Sequence, residues 1–309
     1  MKAALLLCLA LPLLGQKKMA VTIDDLPWVG QNVPAAEAAA GTRGLLRVLK
    51  QAGVPAIGFA NGNKIYGRED TAAWSAVLRL WIDAGFDLGN HTYSHQDLNK
   101  LTEDEYRRDV IEGERPWREW MARDRPRSRI FFRHPFTHTG GSAEKRTAFE
   151  AFLASRGYSV APFTIENADY LFESIRARLE AKGDRDKAKE VEAAYLAHTA
   201  AMTGYFEQLS TSYFGRDIAQ ILLIHTNELN HRNLAAVLDA LRRRGYRFVS
   251  LDEALRDPAY KTEDRFVGQF GPSWVHRWSI ALGKKMDMRN EPDPPRWVLD
   301  LDKELRSAR

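Results

Sequence analysis

The chain has 309 residues, 44% hydrophobic and 28% charged, and 45 basic against 41 acidic side chains leave a net charge of +4. This balance suits one large globular domain or two small ones and excludes disordered, collagen-like and low-complexity classes. So slight a charge excess lacks the concentrated basic stripe of a nucleic-acid binder. One cysteine excludes an internal disulfide or a cysteine-based metal centre, so any metal here has to be held by histidine and carboxylate.

Residues 1–15 read MKAALLLCLALPLLG, one lysine and then an apolar run. That is shorter than the roughly 20 residues needed to cross a bilayer and has the plan of a secretory signal peptide. The expectation is an exported protein, periplasmic or extracellular, with no membrane span once the leader is removed. Cys8 would leave with the leader, which suits an oxidising compartment.

Downstream, short apolar runs alternate with amphipathic helices. Strands are expected at 19–23, 54–59, 86–88, 129–132, 159–161, 218–224 and 247–249. Helices are expected at 41–50, 71–84, 101–123, 143–156 and 233–244, the third opened by Thr102 with Glu105 three residues on, a capping-box pattern. This order predicts an α/β domain with a mainly parallel sheet. Two segments depart from it. Residues 171–214 read as a helical insertion, with a charged helix over 176–195 and a second helical piece ending near Tyr213. The segment 257–309 is rich in Trp and Pro and is expected to pack on the outside of the domain.

Four polar constellations fall at strand ends, where ligands collect in parallel α/β folds. They are Asp24 with Asp25, His91 with His95, Arg133 with Pro135, and His225. The spacing of His91 and His95 predicts that one helical turn brings both rings to one ion. A carboxylate from the Asp24–Asp25 pair would complete three protein ligands and leave the other carboxylate as a base. His134 and His138 flank Pro135 and could touch substrate, although a lone loop histidine is more often merely solvated.

These residues resemble the polysaccharide deacetylases, the NodB homology domain of carbohydrate esterase family 4. Thr22, Ile23, Asp24 and Asp25 are similar to its T-F-D-D motif, and His91 to His95 match H-[ST]-x-x-H. Arg133, His134 and Pro135 resemble R-x-P, and Leu222 to His225 the final L-x-x-H. The resemblance runs from about Met19 to Leu251 and implies a single catalytic domain over 19–256, a distorted (β/α) barrel of the NodB type. It implies that Asp25, His91 and His95 hold a divalent metal, usually zinc in the family, with cobalt, nickel or manganese as alternatives. Asp24 would be the general base, His225 the acid, Arg133 the residue orienting Asp24, and Asp169 the partner of His225. Pro135 and Tyr170 would lie beside the substrate. Leu26 stands where the family has glycine, and Tyr170 where it commonly has tryptophan. A helix cap is an equal alternative for Asp169.

The implied activity is hydrolysis of N-acetyl, or O-acetyl, groups of a carbohydrate polymer or oligomer. A small-amide hydrolase of the allantoinase kind and a catalytically silent carbohydrate-binding protein are the alternatives on the same scaffold.

Overall fold

The computed structural model describes residues 16–30 and 32–307, so the expected leader, 1–15, lies outside the described residues. In chain order the elements are β1 (Lys17–Leu26), α1 (Ala35–Gln51), β2 (Ile57–Ala60), α2 (Asn63–Tyr66), α3 (Thr71–Asp83), β3 (Asp87–Asn90), α4 (Glu103–Glu112), α5 (Arg118–Asp124) and β4 (Ile130–Phe132). A 3-10 turn at Pro135–Thr137 precedes α6 (Ala143–Ser155), β5 (Tyr158–Val160), β6 (Ile165–Glu166), α7 (Asp169–Ala181) and α8 (Arg185–Phe214). The chain continues through β7 (Gln220–His225), α9 (Glu228–Arg243), β8 (Tyr246–Phe248), α10 (Leu251–Ala254), a 3-10 turn at Pro258–Lys261, α11 (Trp274–Ala281) and α12 (Arg296–Ser307). Among the described residues no helix is long and apolar enough to cross a membrane.

The strands are all parallel, in the order β5-β4-β3-β2-β1-β7-β6, with β8 paired to the start of β1. The two edges are joined by residues 161–164 alone, which reach about 17 Å at full stretch. Laid flat, β5 and β6 would stand about 29 Å apart at normal strand spacing. The sheet therefore has to curl, and it forms a half-barrel of the NodB (β/α) type with helices around it. β1 and β7, near the middle, are buried along almost their whole length, as a strand covered on both faces requires.

Several expected elements are corrected. The helix read over 101–123 is two helices. Its capping box at Thr102 and Glu105 is formed, but the first helix stops at Gly113, against the backbone of the 91–95 loop. A Cβ on Gly113 would stand 2.6 Å from the Thr92 carbonyl carbon. The helix read over 176–195 is also broken, at Gly183 (φ 82°), and Asp184 caps α8 by accepting from the Lys187 N–H. β6, two residues long, was too short to leave a periodic signal.

The C-terminal extension does not lie only on the outside. Trp274, Val275 and Trp278 join the common core, while Trp297 stays exposed. Leu26, standing where the family has glycine, is also fully buried, with its side chain over Gly58. Its bulk is absorbed by packing away from the cleft.

Candidate metal and acid–base site

β1 ends in a register irregularity between Ile23 and Leu26, and Asp25 there takes a left-handed backbone (φ 71°). The shift lets two neighbouring carboxylates face one cleft, where regular alternation would send them to opposite faces. Asp24 is almost fully buried and is the register partner of His225 across the β1–β7 ladder.

His91 and His95 do meet, but not on a helix. They lie in a tight loop after β3 in which Thr92 (φ 67°) and His95 (φ 56°) are both left-handed. The Ser94 N–H donates to Asp109 and the His95 N–H to the Thr92 hydroxyl. The rings sit edge to face with centroids 4.8 Å apart. Asp25 Oδ1 is 3.7 Å from His91 Nε2 and 3.5 Å from His95 Nε2. All three ligand-type atoms lie within 4.8 Å of one another. His91 Nδ1 is 2.8 Å from the Arg133 carbonyl, to which it donates, so its Nε2 lone pair is turned to the cluster.

The donor set fits a divalent cation. Asp25 Oδ1 is buried and has no hydrogen-bond partner. Asp25 is held well below the usual carboxylate range: burial pushes it up, but Lys64, His95, His225 and His91 outweigh that. Burial lowers both His91 and His95, keeping the imidazoles neutral, the form that binds metal. Lys64, which the sequence did not mark, steadies the carboxylate from its other oxygen, at 3.1 Å.

Asp24 is raised to about 6, burial outweighing the attraction of Arg133 and His225. The Arg133 side chain is fully buried between Phe59 and Phe163, with Nη2 donating to the Thr22 hydroxyl at 2.8 Å. Its Nε is 3.9 Å from Asp24 Oδ2, an ion-pair contact without a hydrogen bond.

Asp169 opens α7, but its carboxylate does not cap that helix. Oδ1 is 2.7 Å from His225 Nδ1, and Oδ2 accepts from the His225 backbone N–H at 2.7 Å and from Asn227 at 3.1 Å. Asn230 also donates to it and is itself held by the Tyr195 hydroxyl. His225 is thereby raised to about 10: burial opposes the charge, and Asp169 outweighs it. With Nδ1 occupied, Nε2 is the ring nitrogen left to the cleft.

Asp24, Asp25, His91, His95 and His225 line one cleft of about 460 Å³, with Val29, Phe163 and Leu223 as apolar lining, while Arg133 and Asp169 stand behind it. Tyr170 lines it, 59% exposed, with its ring roughly perpendicular to that of His225. Pro135 is buried and does not line it; its neighbours Phe136 and Thr137 do. The two loop histidines are not solvated. His134 is buried among Tyr106, Phe132 and Phe149 yet lines the cleft, and His138 pairs with buried Asp97 at 2.9 Å. Glu166 and Asn227 also line the cleft. Neither lies in a recognisable motif; only their positions beside a strand end could have marked them. Among the described residues, the non-glycine residues with left-handed backbone, Asp25, Thr92, His95, Phe136, Thr137 and Ala168, all lie in or next to this site, where such strain is expected to collect.

A NodB-type half-barrel with an Asp-His-His cluster and an Asp-paired histidine at its strand ends defines a class, the carbohydrate esterase family 4 fold. The comparisons agree: residues 14–151, a little under half of the chain, match the polysaccharide deacetylase family. The matched stretch contains Asp24, Asp25, His91, His95 and Arg133 and ends before Asp169 and His225. A peptidoglycan-N-acetylglucosamine deacetylase of Bacillus cereus is 37% identical over 70 residues, 23% of this chain and 23% of that protein. The match thus spans under a quarter of that curated relative. Among solved structures, a mutant of a CE4 family pseudoenzyme superposes with a TM-score of 0.51 at 17% identity, covering 78% of this chain and 68% of that one. The wild-type CE4 family pseudoenzyme from Bacillus anthracis gives 0.50 at 17% identity, covering 78% and 66%. These likenesses concern the fold.

Proposed function

We propose that the protein is a divalent-metal-dependent deacetylase that hydrolyses N-acetyl groups of an amino-sugar polymer or oligomer outside the cytoplasm. The observation that carries this reading is the placement of Asp24. It lies between the Asp25–His91–His95 cluster on one side and the Asp169-paired His225 on the other, all on one cleft.

Asp25, His91 and His95 would hold the cation, with zinc as the family's usual ion. A cation bound there supplies a Lewis acid that acidifies water and polarises the amide carbonyl. Asp24, raised to about 6, is ionised near neutrality yet basic enough to take a proton from the attacking water. Arg133 keeps that carboxylate facing the cleft. His225, held protonated by Asp169, delivers a proton to the departing amine, which could not leave as an anion. Phe163, Leu223 and Val29 offer an apolar wall for the acetyl methyl, and Tyr170 a ring for the sugar. The leader-like run 1–15 supports export, and the printed activity of the Bacillus cereus relative supports an N-acetylglucosamine substrate.

The test is acetate release from N-acetylglucosamine oligomers, peptidoglycan and O-acetylated xylan, by wild type and Asp25→Ala, before and after chelation and zinc return. Release that needs the metal and is lost in Asp25→Ala supports the reading, and the better substrate separates amide from ester. No release from any of them, with metal bound through Asp25, would sink the deacetylase reading in favour of a binding role.

A further inference from the structure

Phe136 lines the mouth of the site, its ring roughly perpendicular to that of His95 with centroids 4.7 Å apart, yet the residue is 55% exposed. Packing therefore does little to hold the ring, and its place has to be set by the backbone beneath it. That backbone is strained: Phe136 (φ 54°) and Thr137 (φ 56°) are consecutive left-handed residues without glycine, a conformation costing on the order of 1 kcal/mol or more each. Something outside the turn has to maintain it.

The C-terminal extension supplies that support. Arg277 on α11 is fully buried, and its Nη2 donates to the Thr137 carbonyl at 2.6 Å. Its Nε donates to Pro272 O, and its Nη1 to the Thr139 hydroxyl and to Asp264 Oδ2 at 3.1 Å. The guanidinium also lies over the Trp274 ring, 4.1 Å from its centroid. A buried cation with a carboxylate partner and a filled hydrogen-bond fork is a rigid anchor. Beside it, the Thr137 hydroxyl donates to Gly271 O at 2.8 Å, and Gly271 lies so close that a Cβ would stand 1.8 Å from Thr137 Oγ1. Gly271 itself lines the cleft.

We propose that Arg277 is a positioning residue that acts through the Phe136–Thr137 turn, and that it holds the Phe136 ring as a stacking surface for a sugar ring at the mouth of the site. The kinetic part rests on the proposed deacetylase activity; the positioning part does not. An aromatic face held in place before substrate arrives binds the C–H face of a pyranose without having to be ordered first.

The experiment places 4-fluorophenylalanine at position 136 and reads its 19F resonance in otherwise wild-type protein, in Arg277→Met and in Gly271→Ala. Kinetics on N-acetylglucosamine oligomers are measured for the unlabelled proteins, alone and with Phe136→Ala. The expected result is a displaced resonance in both variants, with KM raised about ten-fold and kcat within about two-fold. In the Phe136→Ala background neither variant raises KM further, because the surface they position is already gone. A resonance unmoved in folded variants, or KM effects that simply add to Phe136→Ala, would overturn the proposal. If Arg277→Met does not fold, Arg277→Lys, which keeps the charge and loses the guanidinium fork, takes its place in the same comparison. If wild type releases no acetate, the fluorine signal still decides the positioning role, and the failure belongs to the proposed activity.

Discussion

Asp24 and His225 face each other as register partners on adjacent parallel strands, β1 and β7. The ladder places a buried carboxylate and a charged imidazole side by side without either depending on a loop. The same register leaves Asp24 within 3.9 Å of His91 on its other flank, so one backbone position touches both halves of the site.

Under the proposed function, catalysis should therefore collapse when either partner is removed while the metal stays. Asp24→Asn and His225→Ala are each expected to lower kcat by about 10²- to 10⁴-fold, with zinc stoichiometry unchanged by elemental analysis. The double variant should lose little more than the worse single one, because the two act on one reaction coordinate. Loss of zinc in either variant would contradict the assignment.

The Asp169–His225 pair makes stability depend on pH in a stated direction. His225 is raised from its ordinary 6.5 to about 10 in the folded protein, so its contribution is complete below 6.5 and disappears as pH rises through about 10. Asp169 is lowered from its ordinary 3.8, the histidine and amide contacts overcoming burial, so its contribution is present above 3.8 and disappears on acidification below that. Urea melts of chelated wild type and Asp169→Asn should differ by about 3 kcal/mol in the window between those limits, the scale for breaking a buried pair. The gap should narrow as pH approaches 10; a gap constant up to pH 11 would exclude the pairing as its cause.

Metal binding should be visible without any substrate. Zinc at about 100 times its dissociation constant adds about 2.7 kcal/mol to the folded state, which thermal melts register as a rise in Tm that chelation reverses. Asp25→Ala and His91→Ala should abolish the rise, whereas Tyr170→Ala should leave it intact. A full zinc-dependent rise in Asp25→Ala would place the cation elsewhere.

Gly89, one residue before Asn90 on β3, tests how tightly the sheet is packed beneath the site. A Cβ there would stand 2.6 Å from the Phe59 ring and 2.8 Å from the Phe131 carbonyl oxygen. Gly89→Ala should cost about 2 kcal/mol by overpacking, measured by chemical denaturation, with zinc stoichiometry kept if the His91 loop re-forms.

Local pattern was enough to define the alternation of strand and helix, because apolar runs and amphipathic spacing are short-range signals carried by neighbouring residues. The sheet, the capping box at Thr102 and the polar residues at strand ends were legible for that reason, Asp24, Asp25 and His225 among them. The breaks at Gly113 and Gly183 were not, since each interrupts a pattern that charged helical residues continue on both sides.

What only the tertiary structure decided is how those residues meet. His91 and His95 converge through left-handed turns, and no side chain in that loop advertises a positive φ. Asp169 was equally readable as a helix cap until β7 and α9 brought His225, Asn227 and Asn230 around its carboxylate. The wall at Gly271 and the Arg277 anchor come from a segment more than a hundred residues beyond Thr137, and contacts at that separation leave no periodic trace. Sequence by itself determined which chemical groups and which kind of sheet this protein has; the register, the strained turns and the folded-back extension determined where those groups point, because direction is a property of contacts made across the chain.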